Sequence, residues 1–329
     1  MLKRKLAKFK WMLTDLRSRI FRNQVAKHVG YTHHELRDYQ VYPKGGNLSQ
    51  DFFMLPNDRF PKLIEKGTPI TSIGSCFAVE IRHHLRNAKF NFINTKESGA
   101  GSDEWGRVYT TKNLLQIFQY TFTEFLPSLR IVQSDLGYFD PYREGGFFET
   151  EEAAETDLLQ HYEDSKMAFT ECEVLIVTPG QNEAWINKTD GLAWVRRPPA
   201  ETRAIFDKDR FFVKQFSLDE NIEYLDASLD ILWTVNPDTK VIFTLSPIPS
   251  YATFYDTNVA VRSFENKAIL LLALKKVVAK HPERAFYFPS FEMTMLSHNV
   301  NLQLDNRHVR PNVVDGIMST FDRQFVVGN

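Results

Sequence analysis

The stretch TPITSIGSCFAVEIRHHLRN, residues 68–87, decides the fold that the sequence predicts. A short apolar segment with β-branched residues runs up to Gly74, and a helical pattern begins directly after Ser75. A strand that passes straight into a helix is the unit from which α/β proteins with parallel sheets are built. Ser75 is therefore expected at the carboxyl end of a strand and the start of a helix, where backbone N–H groups and the helix dipole favour negative charge.

The same alternation continues along the chain. Strands are predicted at 69–74, 90–95, 173–178, 240–245 and 284–288, and helices at 76–88, 111–126, 156–169, 218–235, 259–281 and 311–325. Because strands alternate with helices, the sequence predicts an α/β fold with a parallel, flavodoxin-like sheet in a three-layer α/β/α arrangement. Segments 127–155 and 187–217 are interpreted as long loops or insertions, the kind of segment that builds substrate sites at strand ends.

Composition limits the function classes. The chain has 329 residues, and 43% of them are hydrophobic, which is enough for a large core. Its net charge of -1 does not indicate binding to nucleic acid. Its two cysteines, Cys76 and Cys172, lack a metal-ligand spacing, and no G-x-G-x-x-G or P-loop motif occurs. We therefore expect no metal and no cofactor. No apolar run approaches the roughly 20 residues that span a bilayer, so the expected location is cytoplasmic.

The amino-terminal end differs from the rest of the chain. Residues 1–30 contain nine Lys and Arg against one acidic residue, a net charge of +8 that leaves -9 for the remainder. The spacing of Leu2, Leu6, Phe9, Leu13, Leu16 and Ile20 predicts an amphipathic helix. We interpret 1–45 as a basic helical extension and 46–329 as the main domain. Three roles for the helix stay open: packing on its own domain or on a second copy in a homo-oligomer, peripheral contact with an anionic membrane, or targeting.

Four polar residues predict acyl-transfer chemistry. Ser75 is a candidate nucleophile, and the Asp-x-x-His spacing of Asp305 and His308 lets a carboxylate orient an imidazole base. Asn182 follows the predicted strand at 173–178, where its amide can donate to an oxyanion. Each has a structural alternative: a helix cap for Ser75, a turn residue for Asp305 or Asn182, and an ordinary histidine for His308. Cys76 is either a small buried side chain or a thiol nucleophile paired with His308.

Four further residues are candidates for the substrate pocket. Glu183 and Trp185 follow Asn182, and Tyr251 follows the predicted strand at 240–245. Glu292 follows the last predicted strand, where it could orient the loop of Asp305 and His308 or contact substrate. The alternative for all four is a role in local structure.

The peptide Gly74-Ser75-Cys76-Phe77-Ala78 and the ordered stretches WGRVYTTKNLLQ, TPGQNEAW, VIFTLSPIPSYATF and DNRH resemble the GSCFA family, which is similar to the SGNH (GDSL-like) hydrolases. This resemblance implies a catalytic triad of Ser75, Asp305 and His308. It also implies an oxyanion hole formed by Ser75, Gly106 and Asn182. The chain has Gly-Ser-Cys where the hydrolases have Gly-Asp-Ser, which keeps Cys76 as a second candidate nucleophile.

The resemblance implies a serine esterase that forms an acyl-serine intermediate on a small-molecule or glycan ester. Two alternatives use the same fold. One is an O-acyltransferase of glycan biosynthesis with the same triad, because water and a substrate hydroxyl can both accept the acyl group. The other is a glycan-binding module without catalysis.

Overall fold

The computed structural model describes residues 60–93, 105–125, 130–195, 209–296 and 301–328, together with Gln40, Tyr42 and Phe53. The predicted helix in residues 1–30 lies outside the described residues, so its three candidate roles stay predictions. The boundary between 1–45 and 46–329 also stays a prediction. In the part of the chain that the structure describes, no helix is both long enough and apolar enough to cross a membrane.

Strands and helices alternate through the described ranges. The strands are β1 Ile70–Gly74, β2 Val132–Ser134, β3 Gly137–Phe139, β4 Val174–Thr178, β5 Glu183–Asn187, β6 Ala193–Trp194, β7 Phe211–Gln215, β8 Lys240–Thr244 and β9 Ala285–Phe288. The helices are α1 Cys76–Asn87, α2 Thr111–Phe122, α3 Glu151–Glu171, α4 Leu218–Val235, α5 Val259–Lys280, α6 Ser290–Leu296 and α7 Pro311–Phe325.

A four-stranded parallel sheet in the order β1-β4-β8-β9 forms the centre of the fold. One row across it aligns Ile73, Val177, Phe243 and Tyr287 on successive strands. Every residue of β1, β4 and β9 is buried, as in sheets that helices cover on both faces. The predicted α/β class with a parallel sheet is therefore confirmed.

The predicted strand at 90–95 continues the sheet beyond β1. Ile70 forms one parallel bridge with Phe92, and its N–H donates to the carbonyl of Asn91 at 3.0 Å. The N–H of Ile93 donates back to the carbonyl of Ile70 at 2.8 Å. Positions 94 and 95 lie outside the described residues, so only this short pairing is seen.

Helix ends follow local capping chemistry. Helices α4 and α7 have the predicted bounds, whereas α3 begins at Glu151 and not at 156. The reason is that the side chain of Thr150 accepts the N–H of Ala153 at 3.2 Å, and two glutamates in the first turn favour the positive end of the helix. Helix α6 was not predicted, because seven residues are too few for a clear helical period.

The two segments interpreted as loops contain strands, which corrects that prediction. The first holds an antiparallel hairpin of β2 and β3. The second holds β6 and β7, and both pair antiparallel with β5 in a three-stranded sheet. In the register of this sheet, Glu183 lies opposite Gln215, and Trp185 lies opposite Trp194. Its strands have two to five residues each, so their alternating pattern was too short to detect.

Gly74 ends β1 at a point where no side chain fits. Its φ angle is +147°, and a Cβ atom built on it would lie 2.3 Å from Oγ1 and 2.5 Å from the carbonyl oxygen of Thr178. Both distances are shorter than any contact that a Cβ atom makes. Strands β1 and β4 therefore come this close only because residue 74 is glycine.

Gly74→Ala should lower the free energy of unfolding by about 2–4 kcal/mol, because the added methyl group either separates the two strands or strains the backbone. Gly67→Ala is the matched control, since nothing lies within 4 Å of a Cβ atom there. We expect that control to change stability by less than about 0.5 kcal/mol. Urea denaturation of the three proteins measures both effects, and equal stability of the two variants would contradict the argument.

Candidate active site

Three loops meet at the carboxyl ends of β1, β4 and β8. A Cβ atom built on Gly180, which follows β4, would lie 3.2 Å from Cβ of Ser75 and 3.1 Å from Cβ of Ser246. Ser75 follows β1 and Ser246 follows β8. The lack of a side chain at Gly180 thus lets the two serines approach the same point, at the edge of the sheet where α/β folds build their sites.

Ser75 acts as the amino-terminal cap of α1 in this structure. It is 3% exposed, and its Oγ accepts the N–H of Phe77 at 3.3 Å and lies 3.4 Å from Oγ1 of Thr178. Its own N–H donates to the carbonyl of Thr178 at 2.9 Å. Ser75 shares no hydrogen bond with His308, whose described contacts lie elsewhere. The predicted nucleophile and base roles therefore stay predictions.

Cys76 is the first residue of α1 and is half-buried. Its Sγ lies 4.0 Å from the hydroxyl of Tyr109. Because the first N–H groups of a helix have no partner within the helix, the N–H of Cys76 is available at this turn. The N–H of Ser75 is not, since it donates to the carbonyl of Thr178.

Asp305 and His308 form the predicted pair. One carboxylate oxygen of Asp305 accepts the backbone N–H groups of Arg307 and His308, each at 3.0 Å, and the other binds Nδ1 of His308. The bond from Arg307, followed by those from His308, lowers the pKa of Asp305 to about 2. The carboxylate is thus ionised at neutral pH and holds the imidazole by one nitrogen.

The other two predicted oxyanion donors are Asn182 and Gly106, and Asn182 binds other groups. Asn182 is fully buried, and its amide donates to the carbonyl of Phe216 at 2.7 Å and accepts from the amide of Asn221 at 2.8 Å. Gly106 is buried beside Glu144. The assignment of all three residues to an oxyanion hole stays a prediction, and for Asn182 and Ser75 it requires a change of hydrogen-bond partner.

A cavity of about 320 Å³ lies beside these loops. Three of the four predicted pocket residues line this cavity: Glu183, Trp185 and Tyr251. Its aromatic lining is Tyr109, Trp185, Trp194, Tyr251 and Phe254, and its polar lining is Arg107, Thr110, Asn113, Gln181, Glu183 and Arg307. Glu292 is not part of the lining. Its carboxylate accepts the hydroxyl of Tyr287 at 3.0 Å, and burial raises its pKa.

Lys267 is not among the residues that the sequence motifs predict for the site, and it binds two of the strand-end loops. Its side chain is 2% exposed, and Nζ donates to the carbonyl oxygens of Gly180 at 2.7 Å and Ser246 at 2.6 Å. Burial lowers the pKa of Lys267 to about 7, and the charge of Cys76 opposes this decrease. Lys267 is therefore a buried amine close to the β1–α1 turn, and it changes charge near neutral pH. Among the described residues, no cluster of His, Cys, Asp and Glu could hold a metal ion.

These elements define an α/β protein with a buried serine and a half-buried thiol at the end of β1, and with an aspartate–histidine pair in the loop before α7. The sequence profile of the GSCFA family matches residues 69–321, and this chain belongs to that family. The predicted membership is confirmed. Comparison with curated proteins finds no match.

The fold also has likenesses among solved structures. One is a GDSL-like lipase from Bacteroides thetaiotaomicron, at 10% identity and a TM-score of 0.39, covering 81% of this chain and 92% of that one. Another is a carbohydrate esterase family 3 protein from Talaromyces cellulolyticus, at 12% identity and a TM-score of 0.31, covering 78% of this chain and 95% of that one.

The burial of Lys267 predicts a pH-dependent stability. A lysine in the unfolded chain titrates near 10.5, and folding lowers this pKa to about 7. Between these values the unfolded chain holds more protons at this position, so the free energy of unfolding rises with pH. Lys267→Met removes that rise. The stability of the wild type relative to the variant should therefore increase by up to about 1.4 kcal/mol for each pH unit above 7.

Urea denaturation at several pH values from neutral to mildly alkaline measures this difference. Lys276→Met is the matched control, because Lys276 is exposed on the same helix. The difference between wild type and this control should not vary with pH. A difference between wild type and Lys267→Met that is equally constant would show that Lys267 keeps its usual titration in the folded protein.

Proposed function

We propose that this chain is a hydrolase of acyl esters that works through a covalent acyl-enzyme at the turn between β1 and α1. The observation that carries the proposal is the Asp305–His308 pair, in which a carboxylate holds one ring nitrogen of the histidine. Arg307, between these two residues, lines the same cavity as Tyr109, whose hydroxyl lies 4.0 Å from the thiol of Cys76. One cavity is thus lined both by Arg307, which precedes the candidate base His308, and by Tyr109, which lies beside Cys76.

The pairing determines which nitrogen of His308 would act as the base. An ionised carboxylate can only accept hydrogen bonds, so Nδ1 of His308 carries the proton that Asp305 accepts. Nε2 then holds the lone pair. An imidazole oriented in this way takes a proton from an attacking hydroxyl or thiol and later returns it to the leaving group.

With Ser75 as nucleophile, Oγ attacks the ester carbonyl while Nε2 of His308 takes the hydroxyl proton. The tetrahedral intermediate expels the alcohol, which leaves with that proton, and Ser75 keeps the acyl group. Water then attacks the acyl-serine with help from His308 and releases the acid. For this path Oγ of Ser75 must give up its bond to the N–H of Phe77 and come within hydrogen-bond distance of His308.

Cys76 is a second candidate for the attacking atom, and specific observations favour it. Its side chain is half-buried where that of Ser75 is 3% exposed, and its thiol lies next to Tyr109, which lines the cavity. Its N–H sits at the first turn of α1, where it can bind a developing oxyanion. In this version Ser75 remains the helix cap and the intermediate is a thioester.

The cavity walls favour an ester of a sugar or another flat, partly apolar group. Trp185 and Phe254 pack edge to face with ring centres 4.9 Å apart, and both line the cavity with Tyr251. Transfer of the acyl group to a glycan hydroxyl would use the same steps with an alcohol in place of water. Product analysis with and without an added acceptor sugar separates the two, since transfer yields an acylated sugar and hydrolysis yields free acid.

Replacement of the base should remove most activity on a short-chain acyl ester. We expect His308→Gln to lower kcat/KM by about 100–10,000-fold, the usual contribution of a general base. If Ser75 attacks, Ser75→Ala has a similar effect and the double variant is hardly worse, because the two residues act as a unit. If Cys76 attacks, Cys76→Ala has that effect and Ser75→Ala retains activity. His83→Gln, an exposed histidine of α1, is the control.

Covalent labelling tests the proposal without a substrate. A fluorophosphonate should modify Ser75 or iodoacetamide should modify Cys76, and mass spectrometry of peptides identifies which residue carries the adduct. His308→Gln should slow that labelling. A protein that hydrolyses no ester and reacts at neither residue is a binding module, and the hydrolase proposal would then be wrong.

A further inference from the structure

The charged side chains that line the cavity differ in how they are neutralised. Arg107 binds the carboxylate of Glu144 through Nε at 2.6 Å and also through Nη2. Glu183 lies 3.4 Å from Nε of Arg262 and accepts the hydroxyl of Thr253 at 3.0 Å. Both charges are therefore compensated next to the cavity.

Arg307 is different. Its Nε donates to the carbonyl of Pro249 at 3.3 Å, and in the described part of the chain no carboxylate lies within ion-pair distance of its guanidinium. Asp305 binds the backbone N–H of Arg307 and not its side chain. The cavity lining thus carries one positive charge that no described residue balances.

The orientation of this guanidinium is already set. It lies over the ring of Tyr251 at 5.1 Å from the ring centre, and the bond to Pro249 holds its Nε. These contacts leave the two terminal nitrogens for another acceptor. A planar, partly held guanidinium matches the two oxygens of a carboxylate or phosphate, and such paired bonds are stronger than neutral hydrogen bonds.

We propose that the cavity takes esters that carry an anionic group, a carboxylate or a phosphate, and that Arg307 binds this group. That the ligand is an ester rests on the proposed function. That it carries an anionic group rests on the geometry of Arg307. Because Arg307 directly precedes His308, the anionic group would bind close to the reacting ester. Trp185 and Phe254 would contact the apolar part of the same molecule.

The anion can be tested without turnover. Three probes share one sugar: a neutral methyl glucoside, the corresponding methyl glucuronide and the methyl glucoside 6-phosphate. Calorimetry at low ionic strength, with the quenching of tryptophan fluorescence as a second readout, gives their affinities for the full chain. We expect at least one anionic probe to bind about tenfold or more tightly than the neutral one, as charged hydrogen bonds predict. The tighter of the two assigns the anion to carboxylate or phosphate.

Arg307→Gln should remove this preference, so that the anionic probes bind no more tightly than the neutral one. The matched control is Arg284→Gln, because Arg284 also lies over an aromatic ring, that of Trp233, and donates to a backbone carbonyl, that of Pro237, but does not line the cavity. It should keep the preference. Equal binding of the three probes, no saturation by about 10 mM, or a preference that persists in Arg307→Gln overturns the inference.

Acetyl esters of the same three sugars distinguish this inference from the proposed function. A higher kcat/KM for an anionic ester, lost in Arg307→Gln, supports both. Charge-dependent binding without any ester hydrolysis leaves the anion site in place and refutes the hydrolase. Hydrolysis at equal rates for neutral and anionic esters supports the hydrolase and overturns the role of Arg307.

Discussion

The backbone contact between Gly74 and Thr178 is the constraint on which the site depends. Strands β1 and β4 meet there without an intervening side chain, and the N–H of Ser75 donates to the carbonyl of Thr178. The carbonyl of Gly74 accepts the N–H of Val108 at 2.7 Å, which holds the segment before α2 against the end of β1. Tyr109 belongs to that segment, and its hydroxyl lies beside the thiol of Cys76. A single close approach between two strands therefore fixes the position of the turn between β1 and α1. It also fixes the position of the cavity wall that contains Tyr109.

The parts of the fold that could be predicted are those whose signal is local. Each central strand is a short apolar run, and each long covering helix has its own apolar period, so the residues within α4 and α7 predict their bounds. The sheet of β5, β6 and β7 could not be predicted in the same way. Its strands are short, and they depend on pairs such as Glu183 with Gln215 that are distant in sequence. Long-range pairing of this kind leaves little trace in a local pattern.

The candidate site shows the same difference between local and long-range contacts. Asp305 and His308 are three residues apart, so their spacing alone predicted their contact, which the structure contains. The engagement of Ser75 with Thr178 and of Asn182 with Phe216 joins residues that are far apart in the chain, and no motif indicated it. Lys267 did leave a signal. It is a lysine on the face of α5 that also buries Ser263 and Leu270, and a charge at a core-facing position indicates a specific partner.

Asn182 also joins the two ends of the segment that carries β5, β6 and β7. Its backbone carbonyl accepts the N–H of Phe216 at 3.0 Å, and its amide donates to the carbonyl of Phe216. These bonds bring the start of β5 and the end of β7 together beside Asn182. A closed segment can lengthen or shorten without pulling on β4 or α4. Substitutions or length changes in this segment can therefore alter the cavity wall formed by Glu183, Trp185 and Trp194 without moving the ends of β4 and α4.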